Sequence, residues 1–386
     1  MTPVQVKPEE RALLQEAIAF AMRQIERNLS AFVHTFPAPS SENLVYPAIP
    51  NEDWTASFWT GMVWLAYEWT GETKYRQAAE RQLESYRKRV EERIAIDTHD
   101  LGFLYSLSAV AAYRLTGNLG ARKMALEAAD ILAERYFPKA GIIQAWGDLN
   151  DPAQRGRMII DCLMNLPLLY WASQETGDNR YAQMAGSHAE QSAAYLVRPD
   201  DSSYHTYYMD PLSGSPKYGN THQGYADDSC WARGQAWGIY GFALSYAHTG
   251  NDSFLCAAQR LADYWLSRLP EDGIVYWDLI FSDGDLQEKD SSAASIAVCG
   301  LLELAGQLPD EDPNQARYRG AALDMLFTLA ARYTTRDRPD SNGILQHGVY
   351  NKPRGWGIDE CTIWGDYFYV EALMRMLRDW KRYWWF

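Results

Sequence analysis

Hydrophobic and polar positions along this chain divide it into two kinds of segment that take turns. The first kind is amphipathic. Over Pro8 to Asn28, Leu13, Leu14, Ala17, Ile18, Ala21 and Ile25 recur at helical spacing on one face. KYRQAAERQLESYRKRV, ARKMALEAADILAERY, YAQMAGSHAEQSAAYLV, FLCAAQRLADYWLSRL and QARYRGAALDMLFTLAARY repeat that pattern, so six helices with one buried face are predicted. The second kind is apolar on nearly all sides. Asp53-Trp54, Asp100, Asp161, Asp227-Asp228, Asp290 and Asp359-Glu360 each open such a segment. Four of the six end in Thr-Gly, at Gly71, Gly117, Gly177 and Gly250, where glycine signals a helix C-terminus. Pro167 interrupts the segment opened by Asp161 and predicts a kink or an adjusted turn there.

A helix that is apolar all round must be buried on most sides, whereas an amphipathic one needs a single partner face. An irregular repeat of one supersecondary unit, six of each kind, is met by an inner ring of helices wrapped by an outer ring. The prediction is an all-α (α/α)6 barrel occupying residues 1–386 as one catalytic domain; an open solenoid is the alternative. Long loops, Pro138 to Arg157, Pro199 to Asp228, Pro270 to Asp290 and Asp337 to Asp359, enter at the N-terminal ends of inner helices. Loops of that length in a compact domain are usually functional. They gather at one mouth of the barrel, together with the acids and six helix N-termini, whose potential favours an anion.

Composition narrows the classes. A net charge of −14 argues against a nucleic-acid surface. No run of about 18 apolar residues suggests a membrane span. The opening MTPVQVKPEERALLQEAIAF lacks a signal-peptide apolar region. Five scattered cysteines without a C-x-x-C pair fit buried thiols rather than zinc or disulfides, so a cytoplasmic protein is expected. Fifteen Trp and 25 Tyr supply an aromatic core and, at a mouth, surfaces on which sugar rings stack. No metal cluster, cofactor loop or Ser-His-Asp set is evident.

Two acids stand out chemically. Asp100 follows His99 in DTHDLGFLYS, and Asp161 follows two isoleucines in MIIDC. Asp161 reads either as a helix cap or as a carboxyl that is paired or titrates high, because an unpaired carboxylate among apolar groups is costly. If consecutive inner helices are neighbours, Asp100 and Asp161 face each other across part of the mouth. Carboxyls in different environments separate their pKa values and yield a general acid. His205, Gly219, Thr221, His222, Gln223, Trp231, Arg233 and Trp237 fall near the same mouth. Arg233, one turn into an apolar segment, reads either as a partner of Asp227 or Asp228 or as an anion-binding group.

DWTASFWTGMVWLAYE, THDLGFLYSLSA, GIIQAWG, RMIIDCLMNLPLLYWA, DDSSYHT, THQG, WARGQAWGIYGFAL and CTIWGDYFYVEAL together resemble the unsaturated glucuronyl hydrolases of glycoside hydrolase family 88. The resemblance runs from about Asn51 to the C-terminus. It implies hydration of the C4=C5 vinyl ether in a 4,5-unsaturated uronic acid at the non-reducing end of lyase products, and hence release of the next sugar. By matching motifs it implies Asp161 as general acid/base and Asp100 as second catalytic carboxylate. It places Trp54, His99, Trp146, His205, Gly219, Thr221, Gln223, Trp231, Arg233 and Trp237 around the uronate, with Arg233 on its carboxylate. The partner implied is an unsaturated uronyl di- or oligosaccharide; no cofactor is implied.

Two departures carry expectations. Asn220 replaces a glycine expected in the loop and should narrow or polarise the subsite. Lys352 or Arg354, in YNKPRGWGI, should meet a sulfate or second anion on the leaving sugar, or stand as solvated surface charges. Other readings are an unsaturated rhamnogalacturonyl hydrolase acting on pectin fragments, a histidine-dependent sugar 2-epimerase on the same barrel, and a non-catalytic sugar-binding barrel.

Overall fold

The computed structural model describes residues 7–380 and 383–384. The signal-peptide reading falls partly on residues 1–6, outside the described residues. The two hydrophobic patterns become two layers. α1 (Pro8–Asn28) is outer, α2 (Ala56–Thr70) inner and α3 (Thr73–Glu91) outer. The second inner helix is α4 (Leu101–Tyr105), a π-helical turn (Ser106–Val110) and α5 (Ala111–Thr116), followed by outer α6 (Leu119–Ala133). Inner α7 (Leu166–Thr176), outer α8 (Arg180–Tyr195), inner α9 (Ala232–Thr249) and outer α10 (Asp252–Ser267) continue the alternation. Inner α11 (Ser291–Gln307), outer α12 (Pro313–Arg332) and inner α13 (Ile363–Leu377) complete it.

Burial follows the patterning. Every residue of α11 from Ser291 to Ala305 is buried, whereas α3 buries one face, Tyr75, Ala79, Gln82, Leu83, Tyr86, Arg89 and Val90. α2 packs on α4, α4 on α7, α7 on α9, α9 on α11 and α11 on α13, and α13 returns to α2. The ring closes, which excludes the open solenoid. Gly71, Gly117, Gly177 and Gly250 take left-handed φ of 66–76° at the helix ends, as the Thr-Gly pattern predicts. Among the described residues no helix is long and apolar enough to cross a membrane.

Helix starts depart from the sequence reading. Asp161 lies in a 3-10 turn, Ile160–Met164, and α7 begins only at Leu166. Pro167 then falls in the first turn of α7, where its missing N–H costs nothing, so it starts the helix instead of kinking it. α9 starts at Ala232 rather than at Asp228, and α13 at Ile363 rather than at Asp359. The loops carry short antiparallel sheets that the sequence did not announce. β1 (Phe36–Pro37) pairs with β2 (Ala48–Ile49), and β3 (Tyr136–Phe137) with β4 (Ile142–Ile143). β5 (Arg157–Ile159), β6 (Thr206–Met209) and β7 (Pro216–Asn220) form a three-stranded sheet; β8 (Gly348–Asn351) pairs with β9 (Trp356–Glu360). Each lies before an inner helix, so all four dress the same mouth. At the other end Trp384 is fully buried, donating its Nε1 to Glu371 and stacking on Phe368.

Candidate active site

Three residues converge at the base of the mouth. His99 Nε2 lies 3.4 Å from Asp100 Oδ1 and 3.4 Å from Asp161 Oδ1. Asp100 precedes α4, and Thr98 Oγ1 donates to its Oδ2 at 2.6 Å. Asn165 ties the two acid-bearing segments: its Oδ1 accepts from Phe103 N at 2.7 Å and its Nδ2 donates to Asp161 O at 3.3 Å. The sheet fixes the second acid further, since β5 pairs with β6 and Ile160 N donates to His205 O. Asp161 is not a helix cap. Its Oδ1 is buried without a hydrogen-bond partner, the state in which a carboxyl keeps its proton.

The electrostatics separate the acids. Burial, then the charge of Asp100, pushes the Asp161 carboxyl well above the usual carboxylate range, with Arg233 opposing. Burial also raises Asp100, but a hydrogen bond from Thr98 and the cations Arg89 and Arg135 pull it back. When one proton is shared between them, Asp161 is the better holder. His99 is driven down to about 3 by burial and Arg135, so its imidazole is neutral. The three ligating atoms lie within 4.8 Å of one another, and a divalent cation would find two carboxylate oxygens and one imidazole nitrogen there.

A cleft of about 480 Å³ opens from these groups to solvent. Of the residues singled out in the sequence, Trp54, His99, Asp100, Trp146, Asp161 and Gln223 line it. Trp54 stacks on Trp364 and donates Nε1 to the Tyr350 hydroxyl, leaving an anchored aromatic wall. Arg157 covers one face of Trp146, its guanidinium carbon 4.8 Å from the ring centre.

The other predicted residues stand behind the wall rather than in it. His205 is buried, and its Nδ1 accepts from the backbone N of His222, which does line the cleft. Thr221 holds this loop, taking a hydrogen bond from Gly224 N and giving its own N–H to Asp227. Gly219 lies against the Tyr204 ring so closely that a Cβ would approach it within 2.5 Å, and Asn220 pairs with Thr206 in the sheet; neither lines the cleft. The expected narrowing by Asn220 is therefore not seen. Trp237 packs against Phe103 and Phe368 in the barrel's aromatic core.

Arg233 corrects one expectation. It pairs with neither Asp227 nor Asp228; its acidic neighbour is Asp290, 3.7 Å away. Nη1 donates to Val349 O, and Nη2 donates to Gln223 Oε1 and Tyr350 O. Trp231 and Trp364 cover its guanidinium, at 4.5 and 4.7 Å from the ring centres. Its donors hold the cleft wall, and it meets the cleft through Gln223. Lys352 pairs with Glu288 at 2.5 Å and does not line the cleft, whereas Arg354 does, lying over Trp356.

Sequence reasoning missed Arg89, Asn165, Tyr350 and Asn351. Arg89 lines the cleft and donates to Asn51 Oδ1, Asp53 O and Ala95 O. Its signal was spacing: it continues the buried stripe Tyr75, Ala79, Gln82, Tyr86 of an otherwise polar helix. Tyr350 and Asn351 carry no such mark, because the pairing of β8 with β9 brings them inward.

Two neighbouring carboxyls beneath aromatic walls, at one mouth of an (α/α)6 barrel, fit a carbohydrate-active hydrolase. The profile of Glycosyl Hydrolase Family 88 matches residues 25–311, and the chain belongs to that family. It is 47% identical over 369 residues to an unsaturated chondroitin disaccharide hydrolase of Streptococcus pneumoniae, covering 96% of this chain and 93% of that one. The crystal structure of an unsaturated glucuronyl hydrolase from Bacillus sp. GL1, responsible for the degradation of glycosaminoglycan, superposes with a TM-score of 0.94 at 47% identity, covering 96% and 99%. A mutant unsaturated glucuronyl hydrolase of Streptococcus agalactiae, complexed with dGlcA-GalNAc6S, gives 0.86 at 40% identity, covering 99% of each chain.

Proposed function

We propose that this enzyme removes the 4,5-unsaturated uronic acid from the non-reducing end of lyase-generated glycosaminoglycan fragments by hydrating its C4=C5 vinyl ether. The observation that carries this reading is the convergence of Asp100 and Asp161 at the base of the cleft, each with a carboxyl oxygen 3.4 Å from His99 Nε2. Asp161, the better proton holder, gives its proton to C4. Positive charge spreads over C5 and the ring oxygen, and the Asp100 carboxylate stabilises it. Water adds at C5 while the ionised Asp161 takes its proton, restoring the acid. The resulting hemiketal opens and frees the next sugar. Trp54 and Trp146 offer apolar faces to the sugar rings. Gln223, backed by Arg233, and His222, backed by His205, Thr221 and the β7 loop around Gly219, shape the uronate subsite. Trp231 and Trp237 keep that scaffold dry. The relatives' names and the buried, unpaired thiols of Cys162, Cys230, Cys299 and Cys361 support a glycosaminoglycan substrate and a cytoplasmic setting respectively.

The test follows the ultraviolet absorbance of the conjugated enol-ether acid. Wild-type protein should erase it from chondroitin- or hyaluronan-derived unsaturated disaccharides. Asp161→Asn should bind the disaccharide yet leave the absorbance intact, a rate loss of at least about 10²-fold for removal of a general acid. Turnover retained by that variant would remove Asp161 from its role.

A further inference from the structure

The hairpin β8–β9 supplies Tyr350, Asn351, Arg354 and Trp356 to the cleft wall. Its inner edge is well anchored: Arg233 holds the carbonyls of Val349 and Tyr350, and Trp54 holds the Tyr350 hydroxyl. Its base is different. Gly348 pairs with Glu360 and Val349 with Ile358, so Asp359 is an extra residue on β9, a bulge. Asp359 has φ 61°, and His347, facing it at the start of β8, has φ 65°. Both sit in the left-handed region that side chains with a Cβ disfavour. The strain is local to the base of the hairpin, where Ser291 N holds His347 O and the Tyr333 ring packs on the imidazole, and a side-chain contact joins the two strained residues: His347 Nδ1 lies 2.6 Å from Asp359 Oδ1. A glycine would suit the bulge backbone at least as well; the aspartate adds the side chain that reaches His347.

We infer that the His347–Asp359 pair is a clasp that sets the hairpin against the leaving sugar, making both residues specificity-determining positions that touch no substrate themselves. The inference rests on the hydrolase reading above. Asp100 and Asp161 occupy the closed end of the cleft, while Arg354 and Trp356 are exposed at its open end. A terminal uronate ring must enter first, so the rest of the substrate trails past the hairpin. The clasp therefore acts on the leaving sugar and leaves the double bond alone.

Two substrates separate the effects: an unsaturated disaccharide, and the methyl glycoside of the same unsaturated uronic acid, which has no second sugar. Asp359→Gly keeps the bulge conformation and removes the clasp; His347→Gln breaks it from the other side. For both variants KM for the disaccharide should rise about threefold to fivefold, the worth of one hydrogen-bonded contact, with kcat unchanged. Both parameters for the methyl glycoside should stay at the wild-type value. Equal changes on the two substrates, or none on the disaccharide, would overturn the clasp. Wild-type protein inactive on both substrates would instead overturn the hydrolase reading, and the clasp with it.

Discussion

Asp161 owes its chemistry to what surrounds it rather than to what it caps. Its Oδ1 has no hydrogen-bond partner, and its neighbours in sequence, Ile159, Ile160, Cys162 and Leu163, are all buried. Asp100 has Thr98 against it and two cations near it. The proposed mechanism calls for Asp100 ionised and Asp161 protonated, which fixes the sign of the pH dependence it predicts. The rate should climb with pH as Asp100 loses its proton and fall again as Asp161 loses the second, a bell in kcat/KM. In Asp100→Asn the acid limb should vanish; the alkaline limb should also move down, because the charge of Asp100 helps hold the proton on Asp161. A pH series of initial rates checks both limbs. At this scale the sequence showed which acids were unusual, through their apolar neighbours. It did not show His99 bridging them, since a contact to both acids depends on the Thr98–Trp146 bridge and the turn into α4.

Among the elements, the inner helices were legible, and their beginnings only in part: α4 starts directly after Asp100 and α11 directly after Asp290. Each was expected to start at its acid. Asp290 does so, accepting from Ser292 N and Ala293 N as an N-cap. Glu360 instead accepts from Ser41 Oγ, Asn43 N and Leu44 N, which ties β9 to the connector after α1. Asp227 serves the loop of Thr221. Side chains that cap, staple a loop or hold a proton carry the same one-letter code, and only tertiary contacts tell them apart. The hairpin β8–β9 resolves the two basic residues that the sequence left equivalent. Lys352 is neutralised by Glu288, while Arg354 faces the cleft over Trp356. Arg354→Ser should therefore weaken KM for a sulfated disaccharide by about fivefold to tenfold relative to its unsulfated counterpart, and Lys352→Ser should leave the ratio unchanged. Competition assays with the paired disaccharides measure that ratio.

For the molecule as a whole, two periodicities were enough to foretell a two-layered ring, because a helix without a polar face has nowhere else to go. The seam where the ring meets itself could not be read from pattern. It lies between α2 and α13, where Gly61 faces Tyr367 so tightly that a Cβ would come within 2.7 Å of the ring. Gly61→Ala should destabilise the fold by about 1–3 kcal/mol through overpacking, whatever helix propensity it gains. A denaturant titration of the two proteins decides it; equal midpoints would mean the seam yields freely. The small sheets at the mouth escaped the sequence for a related reason: strands of two to five residues carry too few positions to display an alternation.

The end of the ring away from the cleft is stoppered by Trp384, packed among Phe103, Tyr367 and Phe368. A tunnel would let a polymer thread through and be cut anywhere along its length. A blind well admits only a tip. Under the proposed reaction only the unsaturated tip of a chain reaches the acids, and the piece held deepest leaves after the piece nearer the rim.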